Sequence, residues 1–105
     1  MVTFYIYYKT PSNFTTDKCL TPFAVKSGKK FALMAIIKGK DEDDIYRKMQ
    51  SDFMSDAFLK KMNEKCKSLL EQGRIPHTSM SAGDVLYLKE KNQWLQCDQI
   101  GWKKF

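Results

Sequence analysis

Apolar residues recur at every second position near both ends of this chain and at every third or fourth position between them. A period of two is typical of β-strands, whereas a period of three to four is typical of an amphipathic helix. Strand segments therefore flank helical segments, which predicts an α+β fold. The length of 105 residues is enough for one domain with its own core, so we expect residues 1–105 to form a single domain.

The N-terminal strand pattern covers residues 2–8, where Val, Phe, Ile and Tyr alternate with Thr and two further Tyr. A continuous apolar run at residues 31–37 predicts a second strand that is buried on both faces, and we expect it to be the central strand. Residues 10–30 are rich in Pro, Ser, Thr and Gly. They predict a long loop that includes a short strand at residues 23–26.

Two helices are predicted in the middle of the chain. Four consecutive acids that begin at Asp41 suit a helix start, because Asp can cap it and acids interact favourably with the positive end of the helix dipole. Ser55 can cap a second helix, which Gly73 ends. The apolar stripe of the first helix consists of Ile45, Met49 and Phe53, and that of the second of Phe58, Leu59, Met62, Cys66, Leu69 and Leu70. One bent helix is an alternative to two.

The C-terminal quarter again has strand character. Residues 85–89 and 93–97 flank a three-residue turn and predict a hairpin, and Gly101 suggests a bulge or a close backbone approach. The whole pattern predicts a small mixed or antiparallel sheet of four to five strands, with two helices packed on one face. The predicted element order is β-β-α-α-β-β.

The charge of the chain favours acidic partners. Its formal net charge is +6, from 18 basic and 12 acidic residues, and the two halves carry the same excess. This excess suits nucleic acid or an acidic protein surface, and it also suits a surface that is simply solvated. We find no signal-peptide pattern and no apolar run near the roughly 20 residues of a membrane span. With three widely spaced cysteines, these features predict a cytoplasmic protein without a membrane partner.

Catalytic and metal-binding patterns are weak. The single histidine, His77, lies close in sequence to Ser79, Ser81 and Asp84, but catalytic triads draw their members from separate elements and need an oxyanion hole. A turn explains this cluster more simply. The cysteines lack the paired spacing of a zinc site. The sequence therefore predicts no enzyme activity, no cofactor and no metal site.

Aromatic residues are the best candidates for protein contacts, because they dominate interface energetics. The candidates for protein binding are Tyr5, Tyr7, Phe14, Trp94 and Trp102. Tyr5 and Tyr7 form either a ridge exposed to solvent or a sheet face that helices cover. Trp94 and Trp102 belong either to the core or to a contact surface.

Basic residues of the second helix are the candidates for nucleic-acid binding. This set consists of Lys60, Lys61, Lys65, Lys67 and Arg74. Such residues can follow a line of phosphates. However, Lys60 can also pair with Glu64 at four-residue spacing, which favours a solvated helix face.

Residues 77–86, HTSMSAGDVL, and residues 96–102, QCDQIGW, resemble the closing segment of YodL-like proteins, which are small accessory proteins of bacteriophages and mobile elements. In that family a small-polar stretch leads into a Gly-Asp or Ser-Asp turn and a strand. A Tyr or Cys with Asp then precedes a Gly-aromatic pair. The resemblance covers about the last quarter of the chain.

This resemblance implies a phage or mobile-element origin. We therefore expect a non-enzymatic accessory protein that binds and modulates a host or defence-system protein in the cytoplasm of the host cell. Nucleic-acid binding through the lysine-rich helix is the alternative. A homodimer is also open, if residues 2–8 form an outer strand whose edge can pair with a second copy.

Overall fold

The computed structural model describes residues 1–9, 21–26, 31–71 and 79–105. The five strands are β1 (Val2–Lys9), β2 (Phe31–Gly39), β3 (Val85–Leu88), β4 (Gln93–Asp98) and β5 (Gly101–Lys104). The helices are α1 (Pro22–Lys26), α2 (Glu42–Lys48) and α3 (Asp56–Glu71). A single 3₁₀ turn at Ser51–Phe53 separates α2 from α3, so the middle of the chain forms two helices rather than one bent helix.

The strands form one antiparallel sheet in the order β2-β1-β3-β4-β5, which confirms the predicted α+β class. The prediction that residues 31–37 form the central strand is wrong, because β2 lies at an edge of the sheet. The alternative that placed residues 2–8 outermost is also wrong, because β1 lies between β2 and β3. The prediction that the strand at residues 31–37 is buried on both faces is wrong as well, because Leu33 is 37% exposed and Ile36 is 52% exposed. An apolar run fits burial on both faces, but it carries no information on the lateral neighbours of the strand or on what covers each face.

The main core lies between one face of the sheet and helices α2 and α3, as predicted. Large side chains of β1, β3 and β4 meet side chains of both helices there; the fully or nearly fully buried members include Phe4, Ile6, Tyr8, Leu86, Leu95, Ile45, Met49 and Met62. Burial of such a side chain stabilises the fold by roughly 1.5–3 kcal/mol. We call this side of the sheet the helix-covered face.

Both predicted helix caps are present. The Asp41 carboxylate accepts the backbone N–H of Asp44 at 2.8 Å, and the Ser55 hydroxyl accepts that of Phe58 at 3.2 Å. Phe53, however, does not continue the apolar stripe of α2, and 65% of its surface is exposed. The helix ends after Lys48, so the 3.6-residue period no longer applies four residues beyond Met49. Gly73 lies outside the described residues.

Residues 23–26 are helical, so the short strand predicted there is wrong. They belong to α1, which packs on the sheet face opposite α2 and α3. Val25 is completely buried there in a second apolar cluster with Phe31, Val85 and Trp94. An apolar run as short as residues 23–25 fits a strand and a helical turn equally well, and the tertiary contact of Val25 decides between them.

The C-terminal hairpin is confirmed, with β3 and β4 joined by a turn in which Asn92 has a φ of 46°. The chain then turns tightly into β5, where Gly101 pairs with Asp98 and has a φ of 139°. A left-handed φ of this kind favours glycine. Within the described ranges, no helix has the length and apolar character that crossing a membrane requires.

Candidate interaction face

The face of the sheet opposite α2 and α3 is the strongest candidate for a functional surface. Directly paired residues of neighbouring strands share a face. The strand register therefore places Tyr5 between Ile36 of β2 and Tyr87 of β3, and it places Tyr7 beside Leu33 of β2. We call these five side chains the apolar patch.

One half of this face is covered by α1. Val25 packs there against Phe31, Val85 and Trp94, and Trp94 is only 5% exposed. The Lys26 ammonium lies 5.7 Å from the centre of the Trp94 ring and 5.9 Å from that of the Tyr87 ring, within the range of a cation–π contact. Helix α1 therefore forms a wall along the β3–β4 side of the apolar patch.

The aromatic rings of the face pack on one another. The Tyr87 and Trp94 ring centres are 4.5 Å apart, and those of Tyr7 and Trp94 are 5.8 Å apart. The Tyr5 ring meets the Tyr87 ring edge-on at 5.7 Å. Partial burial, with smaller contributions from Tyr5 and Tyr87, raises the pKa of the Tyr7 hydroxyl. That group therefore stays protonated at neutral pH and can donate a hydrogen bond.

The other half of the face is open and aliphatic. Ile36 is 52% exposed and Leu33 is 37% exposed, although both belong to the sheet. Large apolar side chains that lie side by side on a surface mark interaction sites more often than isolated ones do. The exposed strip of the apolar patch therefore runs along β2 and β1.

Positive charge lies beside this strip. Lys38 pairs with Thr3 at one end of the face, and Lys26 lies on the α1 side. Lys9 pairs with Phe31 at the other end, but its ammonium lies next to Gly83. The Glu90 carboxylate reaches the Lys38 end, where it accepts the backbone N–H of Thr3 at 2.8 Å. Hydrogen bonds from Thr3 lower the pKa of Glu90. The described residues therefore place Lys38 and Lys26 beside the strip, together with an acid that is already hydrogen-bonded.

The structure brings together three of the five predicted protein-binding residues. Tyr5 and Tyr7 lie in the apolar patch, while Trp94 lies beneath Lys26 as part of the second cluster. Trp102 lies on the opposite face of the sheet, packed against the main core. Phe14 lies outside the described residues.

Sequence reasoning did not single out Leu33, Ile36 or Tyr87 as contact residues. Leu33 and Ile36 belong to a run that we expected to be buried on both faces. Tyr87 belongs to a predicted strand, but the sequence does not indicate which residues of other strands lie beside it. Only the strand register places these three residues beside Tyr5 and Tyr7, so no local pattern in the sequence identifies them.

Trp102 lies in a separate cleft of about 290 Å³ on the helix-covered face. Its indole N–H donates to the Asp43 carboxylate at 3.1 Å, and its ring meets that of Tyr46 edge-on at 6.4 Å. Asp98 and Cys97 also line the cleft. These contacts tie β5 to α2, which gives Trp102 a structural role.

The lysines proposed for nucleic-acid binding lie on the exposed side of α3. All four of them, Lys60, Lys61, Lys65 and Lys67, are exposed, whereas Met62 on the other side of the helix is buried. Glu64 is exposed among them. Arg74 lies outside the described residues, so the helix presents four cations mixed with an acid.

The serines and the acid near His77 have structural partners. Asp84 accepts the backbone N–H of Ser81, as expected for a turn. Two further bonds connect distant parts of the chain: Asp84 accepts the backbone N–H of Lys9, and the Ser79 hydroxyl accepts that of Ser51. Burial, assisted by Asp84 and Asp98, raises the pKa of the Cys97 thiol. Among the described residues, no three His, Cys, Asp or Glu side chains converge to hold a metal ion. His77 lies outside those residues.

No protein family, curated protein or solved structure matches this chain. The resemblance to YodL-like proteins therefore remains a prediction. Of the residues that carry it, 79–84 form the turn into β3, and 96–102 form the end of β4 and the tight turn into β5. These positions hold the hairpin together and do not overlap the apolar patch.

Proposed function

We propose that this chain is a non-enzymatic accessory protein of a phage or mobile element, which binds and modulates a host or defence-system protein in the host cytoplasm. The apolar patch is its contact surface. The observation that carries the proposal is the exposure of Ile36 and Leu33 next to Tyr5, on a sheet whose opposite face packs against two helices.

The energetics of this patch suit protein association. Ile36 is 52% exposed and Leu33 is 37% exposed, so covering them contributes roughly 1 kcal/mol each, and Tyr5 and Tyr7 add aromatic anchors. The strands that carry these residues are held from the other side by the main core. A surface held rigidly in this way loses little conformational entropy when it binds.

Nucleic-acid binding through α3 is the second candidate function. It is supported by the exposure of Lys60, Lys61, Lys65 and Lys67. Binding of this kind weakens steeply with salt, because phosphate contacts release counterions. Glu64 lies among the lysines and weakens the field that a nucleic acid meets.

The test is affinity capture from host lysate with the tagged chain, with and without nuclease. Ile36→Ser is the variant of interest, and Ile100→Ser is its matched control because Ile100 is 97% exposed and lies in the turn before β5. We expect a stoichiometric host protein on the wild type and on Ile100→Ser, resistant to nuclease, and its loss on Ile36→Ser. Equal capture by both variants, or an empty bait, contradicts the proposal.

The same preparation separates the second candidate. Lys60→Glu combined with Lys65→Glu reverses two charges of α3 without touching the sheet. If the wild type retains nucleic acid, Ile36→Ser retains it equally and the double variant does not, the lysine-rich helix is the binding site. Capture that is unaffected by the double variant favours the apolar patch.

A further inference from the structure

Among the described residues, no helix covers the half of this face that carries Ile36 and Leu33. Strand β1 carries large side chains on both faces, and the helix-covered face is buried by α2 and α3. The five-residue α1 is the only described helix on the other face, and it lies over Phe31, Val85 and Trp94. Sheets with apolar residues on both faces are stable with helices on both sides.

A helix placed over β1 would also contact the two neighbouring strands. Adjacent strands are roughly 4.8 Å apart, so the axes of β2 and β3 are about 10 Å from each other. This is close to the diameter of a helix with its side chains, about 10–12 Å. Helix α1 with its Lys26 lies on the β3 side, and β2 forms the edge of the sheet on the other side.

The charges around the strip specify the chemistry of its occupant. Lys38 lies at one end and Lys26 lies along one flank, while the Glu90 carboxylate is hydrogen-bonded to Thr3. A helix that fits has an apolar stripe towards Ile36 and Leu33 and carboxylates at its margins. Such electrostatic complementarity adds specificity and speeds association.

The arrangement of the rings disfavours nucleic acid on this face. Base stacking needs an open ring face. Trp94 and the Lys26 ammonium lie against the Tyr87 ring, and Tyr7 packs against Trp94. Within the apolar patch the most exposed side chains are aliphatic, namely Ile36 and Leu33.

A second copy of the chain is also a poor occupant. When two such faces meet, Lys38 and Lys26 of one copy approach those of the other. Among the described residues, Glu90 of each copy is the acid that lies at this face. Like charges placed opposite one another at an interface oppose association. The face therefore suits a partner of opposite charge better than a partner of the same charge.

We infer that the apolar patch is a docking trough for an acidic amphipathic helix of the partner protein, which would form the missing helical layer over β2, β1 and β3. This inference rests on the proposed function, since it names the feature of the partner that the patch recognises. The helix lies along β1, with its apolar stripe on Ile36, Leu33 and Tyr5. Its acidic residues face Lys38 and Lys26.

The test uses fluorescein-labelled peptides of 18 residues and the full chain, with binding followed by fluorescence anisotropy. The first peptide is a Leu/Ala helix with leucines on one stripe and glutamates along both margins. The second carries lysines in place of the glutamates, and the third has the composition of the first in scrambled order. We expect the first peptide to bind at least tenfold more tightly than either of the others.

Variants of the chain locate the site. Ile36→Ser and the more conservative Ile36→Thr, which keeps the β-branched shape of the strand residue, should each weaken binding of the acidic peptide severalfold or more. Ile100→Ser should leave it unchanged. Lys26→Glu should weaken binding and reduce its salt dependence. Circular dichroism of each variant establishes that the fold is intact.

Equal affinity for all three peptides overturns the inference. A loss of binding with Ile100→Ser as large as with Ile36→Thr also overturns it, and so does Ile36-dependent binding of a labelled single-stranded oligonucleotide in place of the acidic peptide. Self-association that Ile36→Thr abolishes points to a second copy and also overturns it. If lysate capture depends on Ile36 but the acidic peptide does not bind, the proposed function stands and the helical partner is wrong. If the peptide binds but no host protein is captured, the trough stands and the proposed function is wrong.

Discussion

The carboxylate of Asp84 accepts the backbone N–H of Lys9 at 2.9 Å and thereby joins two residues that are 75 positions apart. Its second oxygen accepts the backbone N–H of Ser81 at 2.8 Å. Asp84 is completely buried at the start of β3, beside the end of β1. This acid therefore holds the C-terminal hairpin against the N-terminal strand.

Asp84→Asn should destabilise the fold by about 2–3 kcal/mol, because one charged acceptor of two backbone N–H groups is lost in a buried site. The free energy of unfolding in guanidinium chloride measures this change. Asp98→Asn is the control, since Asp98 is exposed and its carboxylate bonds to the adjacent Gln99 N–H. A difference below about 0.5 kcal/mol between the two variants contradicts the role of Asp84.

Asp44 should make the free energy of unfolding depend on pH in the acidic range. Its carboxylate accepts the backbone N–H of Lys40 at 2.9 Å, which is the main reason why its pKa falls from 3.8 to about 2, and Lys48 and Arg47 add to the effect. Because the folded state favours the ionised form, this contribution is present above about pH 4 and is lost as the pH falls from 4 towards 2.

The measurement compares urea unfolding of the wild type and of Asp44→Asn at several pH values between 5.5 and 3. The wild type should be more stable at pH 5.5, and its advantage should shrink towards pH 3. Asp52→Asn, a change of an exposed acid in the 3₁₀ turn, provides the control. A constant difference across this range rules out the predicted linkage.

Gly39→Ala should destabilise the contact between β2 and α2. A Cβ atom at this position would lie 2.6 Å from Cδ1 of Ile45 and 3.0 Å from Oδ2 of Asp44. Ile45 is completely buried, so its movement disturbs the core and should cost about 1–3 kcal/mol. Thermal unfolding of Gly39→Ala should occur at a lower temperature than that of Lys40→Ala, at the exposed next position, and an equal midpoint would falsify the close approach.

The two tryptophans should differ in their access to solvent. Trp94 is 5% exposed under Lys26 and Phe105, whereas Trp102 is partly exposed at the cleft beside Tyr46. Acrylamide should therefore quench the fluorescence of Trp102→Phe, which retains Trp94, less than the fluorescence of Trp94→Phe, which retains Trp102. Stronger quenching in Trp102→Phe would mean that α1 does not cover Trp94 in solution.

Features that depend on nearby residues could be predicted from the sequence. The first strand, the caps at Asp41 and Ser55 and the hairpin of β3 and β4 all appear where the local pattern predicted them. The caps and the hairpin are stabilised largely by contacts within a few residues or by a short turn. The partners of β1 are distant in the chain, but its alternating pattern matches the burial of its side chains. Local propensity and tertiary packing agree at these positions, so the pattern is informative.

The candidate site was predictable only in part, for the same reason. Tyr5 and Tyr7 stand out in the sequence because they are aromatic residues that alternate with Phe4, Ile6 and Tyr8, the buried residues of β1. Trp94 and Trp102 look alike in sequence, but the strand register sends them to opposite faces of the sheet. The face that each one joins depends on the pairing of whole strands.

The sequence therefore dictates the α+β class, the starts of α2 and α3 and the hairpin, because periodicity, capping and turn chemistry act over short distances along the chain. Tertiary structure alone puts β2 at the edge, folds residues 22–26 into a helix and gathers Leu33, Ile36 and Tyr87 around Tyr5. Those outcomes depend on which strands pair and in which register. That choice is made by the burial of side chains that lie far apart in the chain, and no window of neighbouring residues contains it.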